Sequence, residues 1–170
     1  ERPDGLNIAR HATPGKLTEV QGRQKPGVLF LGGFMSDMTG TKATHLEAHC
    51  VQQGLAYTRF DYSGHGQSAG MFKDGTIGQW ARDAIAIIDE ITTGPLILVG
   101  SSMGGWIMLL AALARKERIA GLVGIAAAPD FTEDLMWAQF TDAQKSDIVE
   151  NGALTEPTEY GDDPYPITHA

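Results

Sequence analysis

The sequence is poor in cysteine, in basic side chains and in long apolar runs. Cys50 is the only cysteine, so an internal disulfide is excluded and no residue pattern points to an oxidising compartment. The chain has 13 basic and 21 acidic residues, and the resulting net charge of -8 argues against nucleic acid or an anionic membrane as partner. The longest apolar run, 106–114, is shorter than the ~20 residues that span a bilayer, so no membrane span is expected. The cytoplasm is the expected location, with the mitochondrial matrix as the alternative.

Apolar runs alternate with segments of helical periodicity through most of the chain, whose 170 residues can bury a sizeable core. The pattern predicts strands over 28–31, 55–60, 96–99 and 119–126, and helices over 41–53, 76–91 and 103–115. Thr76 with Gln79 has the spacing of a capping box. Such βα alternation predicts an α/β fold with a mainly parallel sheet and helices on both faces.

The composition changes after Pro129, where acidic residues mix with Met, Trp and Phe. Helical segments are predicted over 132–140 and 141–150, the second opened by a capping box at Thr141 and Gln144. No strand is legible in the proline-rich remainder. The predicted organisation is therefore a core over 1–130 and a second segment over 131–170.

One pentapeptide has the form G-x-S-x-G, with Gly100 and Gly104 around Ser102. It lies between a predicted buried strand and an apolar helix, where a nucleophile elbow needs small residues beside a strained serine. Ser101 is the rival nucleophile, but its equivalent neighbours are Val99 and Met103, which are large. The bland alternative is a glycine-rich βα turn without chemistry.

Four segments in order carry a resemblance to a known family: "FLGGFMSDMTGTKA", "RFDYSGHGQSAG", "LVGSSMGGWIMLL" and "IAAAPDFTEDLMW". The chain resembles the α/β-hydrolase superfamily, and within it the serine esterases related to the mitochondrial acyl-protein thioesterase and acyl-glucuronide esterase, with their bacterial counterparts. The resemblance implies an α/β-hydrolase fold, a small-molecule ester or thioester substrate, and a helical cap that begins within 131–170. It also implies an oxyanion hole made by the backbone N–H groups of Phe34 and Met103, and a structural role for His65 and Asp61.

Other chemistry is weighed against simpler interpretations. His45 and His49 share a helix face near Cys50, but the zincin spacing fails, so a solvent-facing stripe is expected and no metal. The glycines within 64–70 do not fit the dinucleotide pattern G-x-G-x-x-G, and no cofactor is expected.

A serine hydrolase also needs a histidine base and a carboxylate that orients it, and in this family they follow the serine along the chain. His169 matches no triad position of the family, and Asp130, after the strand predicted over 119–126, is a weak candidate for the acid. We therefore expect a fragment of a longer esterase whose sheet is incomplete at its C-terminal edge. A C-terminal segment or a second copy of the chain in a homo-oligomer is expected to cover that edge.

These patterns predict a hydrolase that cleaves carboxylic esters or thioesters through an acyl-enzyme on Ser102. The alternatives are a non-catalytic α/β-hydrolase-like binding domain and an inactive fragment of such an esterase.

Overall fold

A computed structural model of the protein describes residues 5–16, 19–20, 23–156 and 165–168. The chain divides into two compact units, Glu1–Pro129 and Asp130–Ala170. The residues that sequence analysis assigns to an elbow and an oxyanion loop all lie in the first unit.

The first unit is built on a five-stranded sheet. Its strands are β1 Arg10–Thr13, β4 Gly27–Leu31, β5 Tyr57–Phe60, β6 Leu96–Ser101 and β7 Ile119–Ile125, and a separate short pair consists of β2 Glu19–Val20 and β3 Arg23–Gln24. The order in the sheet is β1-β5-β4-β6-β7, and neighbouring strands run parallel except β1, which is antiparallel to β5. The mainly parallel sheet predicted from the sequence is confirmed.

Strand β1 was not predicted, because its sequence "RHAT" contains no apolar run. It lies at the sheet edge, with three exposed residues and one half-buried residue, so burial does not require apolar residues in this strand. Pairing with β5, from Arg10 opposite Phe60 to Thr13 opposite Tyr57, is what makes it a strand.

Helices cover both faces of the sheet, as predicted. Helix α1, Thr41–Gln52, packs on the face that presents Val28 and Phe30. Helices α2, Ile77–Glu90, and α3, Met103–Ala114, pack against each other, and α3 contacts β4, β6 and β7. Because strand side chains alternate between faces, Leu29 and Leu31 serve the opposite face from α1, and both are fully buried.

One of the two hydrogen bonds of the predicted capping box forms at the start of α2. The Thr76 hydroxyl accepts a hydrogen bond from the Gln79 amide at 3.1 Å. The side-chain oxygen of Gln79 accepts from Arg82 at 2.7 Å, so it turns along the helix toward a cation. The cap thus satisfies one of the first-turn amides of α2.

Strand β7 is the last strand of this sheet, and within the described residues it pairs only with β6. Three of its apolar side chains are exposed, Leu122 at 44%, Val123 at 48% and Ile125 at 37%. An edge with unpaired backbone groups and apolar side chains is a template for further strand pairing.

The second unit holds helix α4, Asp142–Asn151, which begins with the predicted capping box at Thr141 and Gln144. The segment predicted as helical over 132–140 consists of one π-helical turn, Thr132–Met136, followed by one 3₁₀ turn, Trp137–Gln139, rather than a continuous α-helix. The chain then becomes extended at Phe140 and Thr141, which separates these turns from α4.

The expectation of no strand after α4 is wrong. Strands β8, Ala153–Glu156, and β9, Tyr165–Thr168, form an antiparallel pair. The pair joins segments separated by eight residues outside the described part, and β9 contains a proline, Pro166. Neither segment has an alternating apolar pattern, so only the pairing itself reveals them.

Candidate active site

Ser102 lies where β6 ends and α3 begins, in a backbone conformation that side chains rarely adopt. Its φ is 53° and its ψ is -121°, whereas Ser101 is the last residue of β6 and Met103 the first of α3. The Ser102 side chain is exposed, and Ser101 is buried at 6% exposure. The geometry is the strained strand-to-helix turn that projects one side chain away from the sheet.

The glycines around Ser102 are required by close backbone contacts. A Cβ atom at Gly100 would overlap the carbonyl oxygen of Gly104. A Cβ atom at Gly104 would overlap the carbonyl oxygens of Leu31 and Gly32 at the end of β4. The turn therefore tolerates no side chain at Gly100 or Gly104, and its sharp geometry depends on both glycines.

Hydrogen bonds with the end of β7, the segment after it and the first turn of α3 hold the Ser102 backbone. Its amide donates to the carbonyl of Ile125 at 3.0 Å, and its carbonyl accepts from the amides of Ala128 at 3.1 Å and Gly105 at 2.8 Å. The strained turn is therefore braced on both sides of the Ser102 Cα atom.

The loop after β4, residues 33–38, passes directly beside the serine. We call it the oxyanion loop, because the resemblance predicts that its Phe34 amide binds an oxyanion. A Cβ atom built on Gly33 would lie 3.4 Å from the Ser102 Cβ atom and 3.4 Å from the Ser101 carbonyl oxygen. A Cβ atom on Gly32 would meet nothing within 4 Å. The close approach to Ser102 is therefore made at Gly33 and not at Gly32.

Phe34 and Met103 are the residues whose amides were predicted to bind an oxyanion. Phe34 lies in a tight turn, in which the Ser36 amide donates to the Gly33 carbonyl at 3.2 Å and Met35 has φ 53°. The Phe34 ring packs edge-on against Phe72 at 5.0 Å. Met103 opens α3, and first-turn amides of a helix have no acceptor within the helix and lie at its positive end.

His65 lies in a packed cluster of aromatic side chains. Its ring is 5.1 Å from both Phe72 and Trp80, and its Nδ1 atom is 3.2 Å from the Ser63 carbonyl oxygen. Burial lowers the pKa of His65, which favours the neutral ring. Among the residues that the structure describes, no histidine makes a hydrogen bond with the Ser102 hydroxyl.

Two further residues were weighed as members of the triad, Asp130 and His169. Asp130 opens the second unit with φ 53°, and its carbonyl accepts from the amides of Glu133 and Asp134. His169 lies outside the described residues. The assignment of Asp130 as an acid stays a prediction.

The residues weighed as metal ligands are arranged differently from the expected stripe. His45 and His49 are exposed on α1, as expected, but Cys50 is buried at 1% exposure in the core. Burial raises the pKa of the Cys50 thiol. Over the described residues, no cluster of His, Cys, Asp and Glu has the geometry to hold a metal ion.

Two side chains hold the backbone at the far end of the loop over 33–38. Asp61 and Arg59 bond the two backbone polar groups of Met38, at the far end of the oxyanion loop. The sequence carries two signals for them: the structural role that the resemblance implies for Asp61, and the position of both residues at the end of the strand predicted over 55–60, where parallel strands commonly present functional residues.

Comparison with known families decides the classification. Residues 23–159 match the family described as serine aminopeptidase, S33. The chain belongs to this family of α/β-hydrolases. The resemblance inferred from four sequence segments is thereby confirmed, and so is the fold class.

Relatives within the α/β-hydrolases include the human mitochondrial palmitoyl-protein thioesterase ABHD10, 41% identical over 162 residues. The match covers 95% of this chain and 50% of that protein. A crystal structure of a hydrolase from Agrobacterium vitis S4 superposes with a TM-score of 0.91 at 40% identity, covering 100% of this chain and 66% of that one. The mouse α/β-hydrolase domain-containing protein 10 gives a TM-score of 0.83 at 40% identity, over 98% and 64% of the two chains.

The chain spans about half the length of the curated relatives it matches. Within the described part of the chain, none of the helices combines the length and the apolar character needed to cross a bilayer.

Proposed function

We propose that the chain carries the nucleophile and oxyanion hole of a serine hydrolase that cleaves carboxylic esters or thioesters through an acyl-enzyme on Ser102. The observation that carries the proposal is the exposed Ser102 at φ 53°, with Gly33 of the oxyanion loop packed beside it. A strained, exposed serine between a strand and a helix is expensive to maintain, and such strain concentrates at active sites.

In this mechanism the Ser102 Oγ atom attacks the carbonyl carbon of the substrate while its proton passes to a general base. The tetrahedral intermediate collapses with cleavage of the C–O or C–S bond, and the alcohol or thiol leaves with a proton. Water then cleaves the Ser102 ester and releases the carboxylic acid. Asp130 is the weak candidate of this chain for the acid that orients the base.

Negative charge that develops on the substrate carbonyl oxygen is stabilised by the backbone N–H groups of Phe34 and Met103. The Gly33 contact with Ser102 brings the oxyanion loop beside the nucleophile, and the start of α3 adds the positive end of the helix dipole. A donor of this type contributes about 10² to 10³ in kcat.

The substrate class follows from the relatives. Proteins named as palmitoyl-protein thioesterases match 95% of this chain at 41% identity, which supports a thioester or ester of an acyl group as the bond cleaved. Their mitochondrial designation supports the mitochondrial matrix as the location, and the cytoplasmic expectation stays a prediction.

The exposed edge of β7 belongs to the same proposal. Its apolar side chains, and backbone groups that pair with no strand among the described residues, favour coverage by further polypeptide, either a later segment of a longer chain or a second copy. Gel filtration with light scattering distinguishes these two possibilities. Coverage by a second copy gives the mass of a dimer, whereas coverage by a later segment of the same chain gives the mass of a monomer.

The nucleophile is tested with a fluorophosphonate probe, applied to this chain and to the longest gene product that contains it. We expect labelling in the longer protein, lost in Ser102→Ala and largely kept in the matched control Ser101→Ala. Peptide mapping by mass spectrometry identifies the labelled serine.

Labelling of Ser101 would overturn the assignment. Absence of any labelling in a folded protein would favour the alternative of a non-catalytic binding domain or an inactive fragment.

A further inference from the structure

We propose that Arg59 and Asp61 are positioning residues that clamp the peptide groups of Met38 and thereby fix the oxyanion loop. The inference rests on the proposed function, because it concerns the loop whose Phe34 amide would bind the oxyanion. Neither side chain is assigned contact with substrate.

The clamp consists of two short hydrogen bonds to one residue. The Met38 amide donates to the Asp61 Oδ1 atom at 2.6 Å, and the Met38 carbonyl accepts from the Arg59 Nη1 atom at 2.6 Å. Asp61 is 1% exposed and Met38 is 8% exposed, so water competes weakly for these groups. Both bonds are charge-assisted, which makes them stronger than bonds between neutral groups.

Asp61 is itself held in place on its other side. Its Oδ2 atom accepts from the Gln67 amide at 2.8 Å, and its carbonyl accepts from the Ser68 hydroxyl at 2.6 Å. A Cβ atom at Gly66 would overlap the Asp61 carboxylate, so glycine with φ 47° allows the loop backbone to wrap around it. The carboxylate therefore has little freedom to follow a moving Met38.

Arg59 is braced in the same way by a second carboxylate. Its Nε atom donates to the Glu47 Oε2 atom at 3.0 Å, and Glu47 Oε1 accepts from the Thr13 hydroxyl at 2.7 Å. The clamp is thereby connected to α1 through Glu47 and to β1 through Thr13. The Arg59 guanidinium cannot shift without breaking these contacts.

The oxyanion loop is thus fixed at both ends. Gly33 is packed against Ser102 at one end, and Met38 is clamped at the other, with Phe34 and Met35 between them. An oxyanion donor must lie about 2.7–3.1 Å from the developing charge, and a shift near 1 Å can cost about 10² in rate. Release of Met38 should therefore weaken transition-state binding more than substrate binding.

Hydrogen exchange measures the clamp directly and does not require activity. In the wild-type chain we expect a protected Met38 amide, and in Asp61→Ala an exchange at least tenfold faster, because alanine leaves the Met38 amide without its carboxylate acceptor. Arg59→Met should speed exchange in peptides over 33–40 as well. Equal exchange in wild type and both variants would overturn the clamp.

Arg118→Met is the matched control. Arg118 also donates to main-chain carbonyls, those of Gly94 at 2.8 Å and Thr92 at 3.2 Å, but it lies before β7, at the opposite end of the parallel strands. The Arg118→Met variant should lose about as much stability as Arg59→Met, and the hydrogen exchange of peptides over 33–40 should stay unchanged. Thermal unfolding of each variant confirms that the folded state is being compared.

Labelling kinetics on the longest gene product that contains the chain test the consequence for catalysis. We expect Arg59→Met to lower the maximal rate of fluorophosphonate labelling about tenfold with the half-saturating concentration unchanged, and Arg59→Lys to restore part of it. A loss equal to that of Arg118→Met would overturn the positioning role.

Failure of the proposed function gives a different result. If wild-type Ser102 does not react, the serine hydrolase proposal fails together with the positioning role for catalysis, while hydrogen exchange alone decides whether the clamp exists.

Discussion

Backbone strain at Ser102 is maintained by its neighbours at the residue scale. A residue at such φ and ψ costs about 1–3 kcal/mol relative to a relaxed one. The structure maintains it because Ile125 and Ala128 bond the Ser102 backbone and because Gly100 and Gly104 remove competing side chains. The chemistry proposed for Ser102 therefore depends on residues that do not touch the substrate.

The residue-scale prediction concerns two adjacent glycines. Gly33→Val should lower Ser102 reactivity about 10²-fold, because a Cβ atom there already lies 3.4 Å from the Ser102 Cβ atom and the valine methyl groups would displace the oxyanion loop. Gly32→Val is the matched control, since a Cβ atom at Gly32 meets nothing within 4 Å. The measurement is the rate of fluorophosphonate labelling in folded variants of the longest gene product.

Equal rates for Gly33→Val and wild type would remove the oxyanion loop from the mechanism. Equal losses in both valine variants would show that the effect is a general cost of side chains in this segment.

Glu47 lies on α1 and contacts residues of β1, although these two elements are far apart in the sequence. Its carboxylate accepts from Thr13, contacts the His11 Nε2 atom at 2.8 Å and bonds Arg59. Burial opposes ionisation of Glu47, but hydrogen bonds from Thr13 and Arg59 and the charges of Arg59 and His11 outweigh it, so the Glu47 pKa is lowered.

The element-scale prediction is a pH dependence of stability. Because the folded state lowers the Glu47 pKa, the stabilisation is fully present above its ordinary value of 4.5 and is lost as the pH falls through the folded value. We expect wild type to be more stable than Glu47→Gln near neutral pH and the difference to shrink below about pH 4.5. Urea unfolding of both proteins across this range measures it.

A constant difference between wild type and Glu47→Gln at every pH would contradict the ionic origin of this stabilisation. His11→Gln is the companion variant, because His11 is the other titratable group that faces Glu47 from β1.

Elements were predictable from sequence where burial imposes a period. Helix α2 places Trp80, Ala84 and Ile88 on one buried face, and the sequence shows that spacing. Strand β1 and the pair β8 and β9 have no such period, since they are exposed or short and exist through pairing with distant segments.

Catalysis at the scale of the whole molecule needs a base that the described residues do not bring to Ser102. None of the histidines among them makes a hydrogen bond with its hydroxyl, and His65 is buried in an aromatic cluster. Loss of triad members costs about 10⁴ to 10⁶ in kcat in serine hydrolases.

The whole-molecule prediction is that the 170-residue chain alone turns over p-nitrophenyl acetate negligibly. The longest gene product that contains it should show turnover that Ser102→Ala abolishes. Ester hydrolysis followed at the absorbance of p-nitrophenolate measures both.

Strong Ser102-dependent turnover by the 170-residue chain would contradict this prediction. It would mean that His65 or His169 serves as the base.

The sequence by itself determined the fold class, the order of the main strands and helices, and the position of the elbow around Ser102. These properties depend on short-range rules: the period of buried side chains, the cap at Thr141, and glycines where adjacent backbone segments meet. The tertiary structure decided the rest, including Gly33 rather than Gly32 beside Ser102 and the clamp on Met38. Such contacts depend on which strands are neighbours. Because β4 lies beside β5 and β6, the loop after β4 meets Asp61, which is 23 residues after Met38, and Ser102, which directly follows β6.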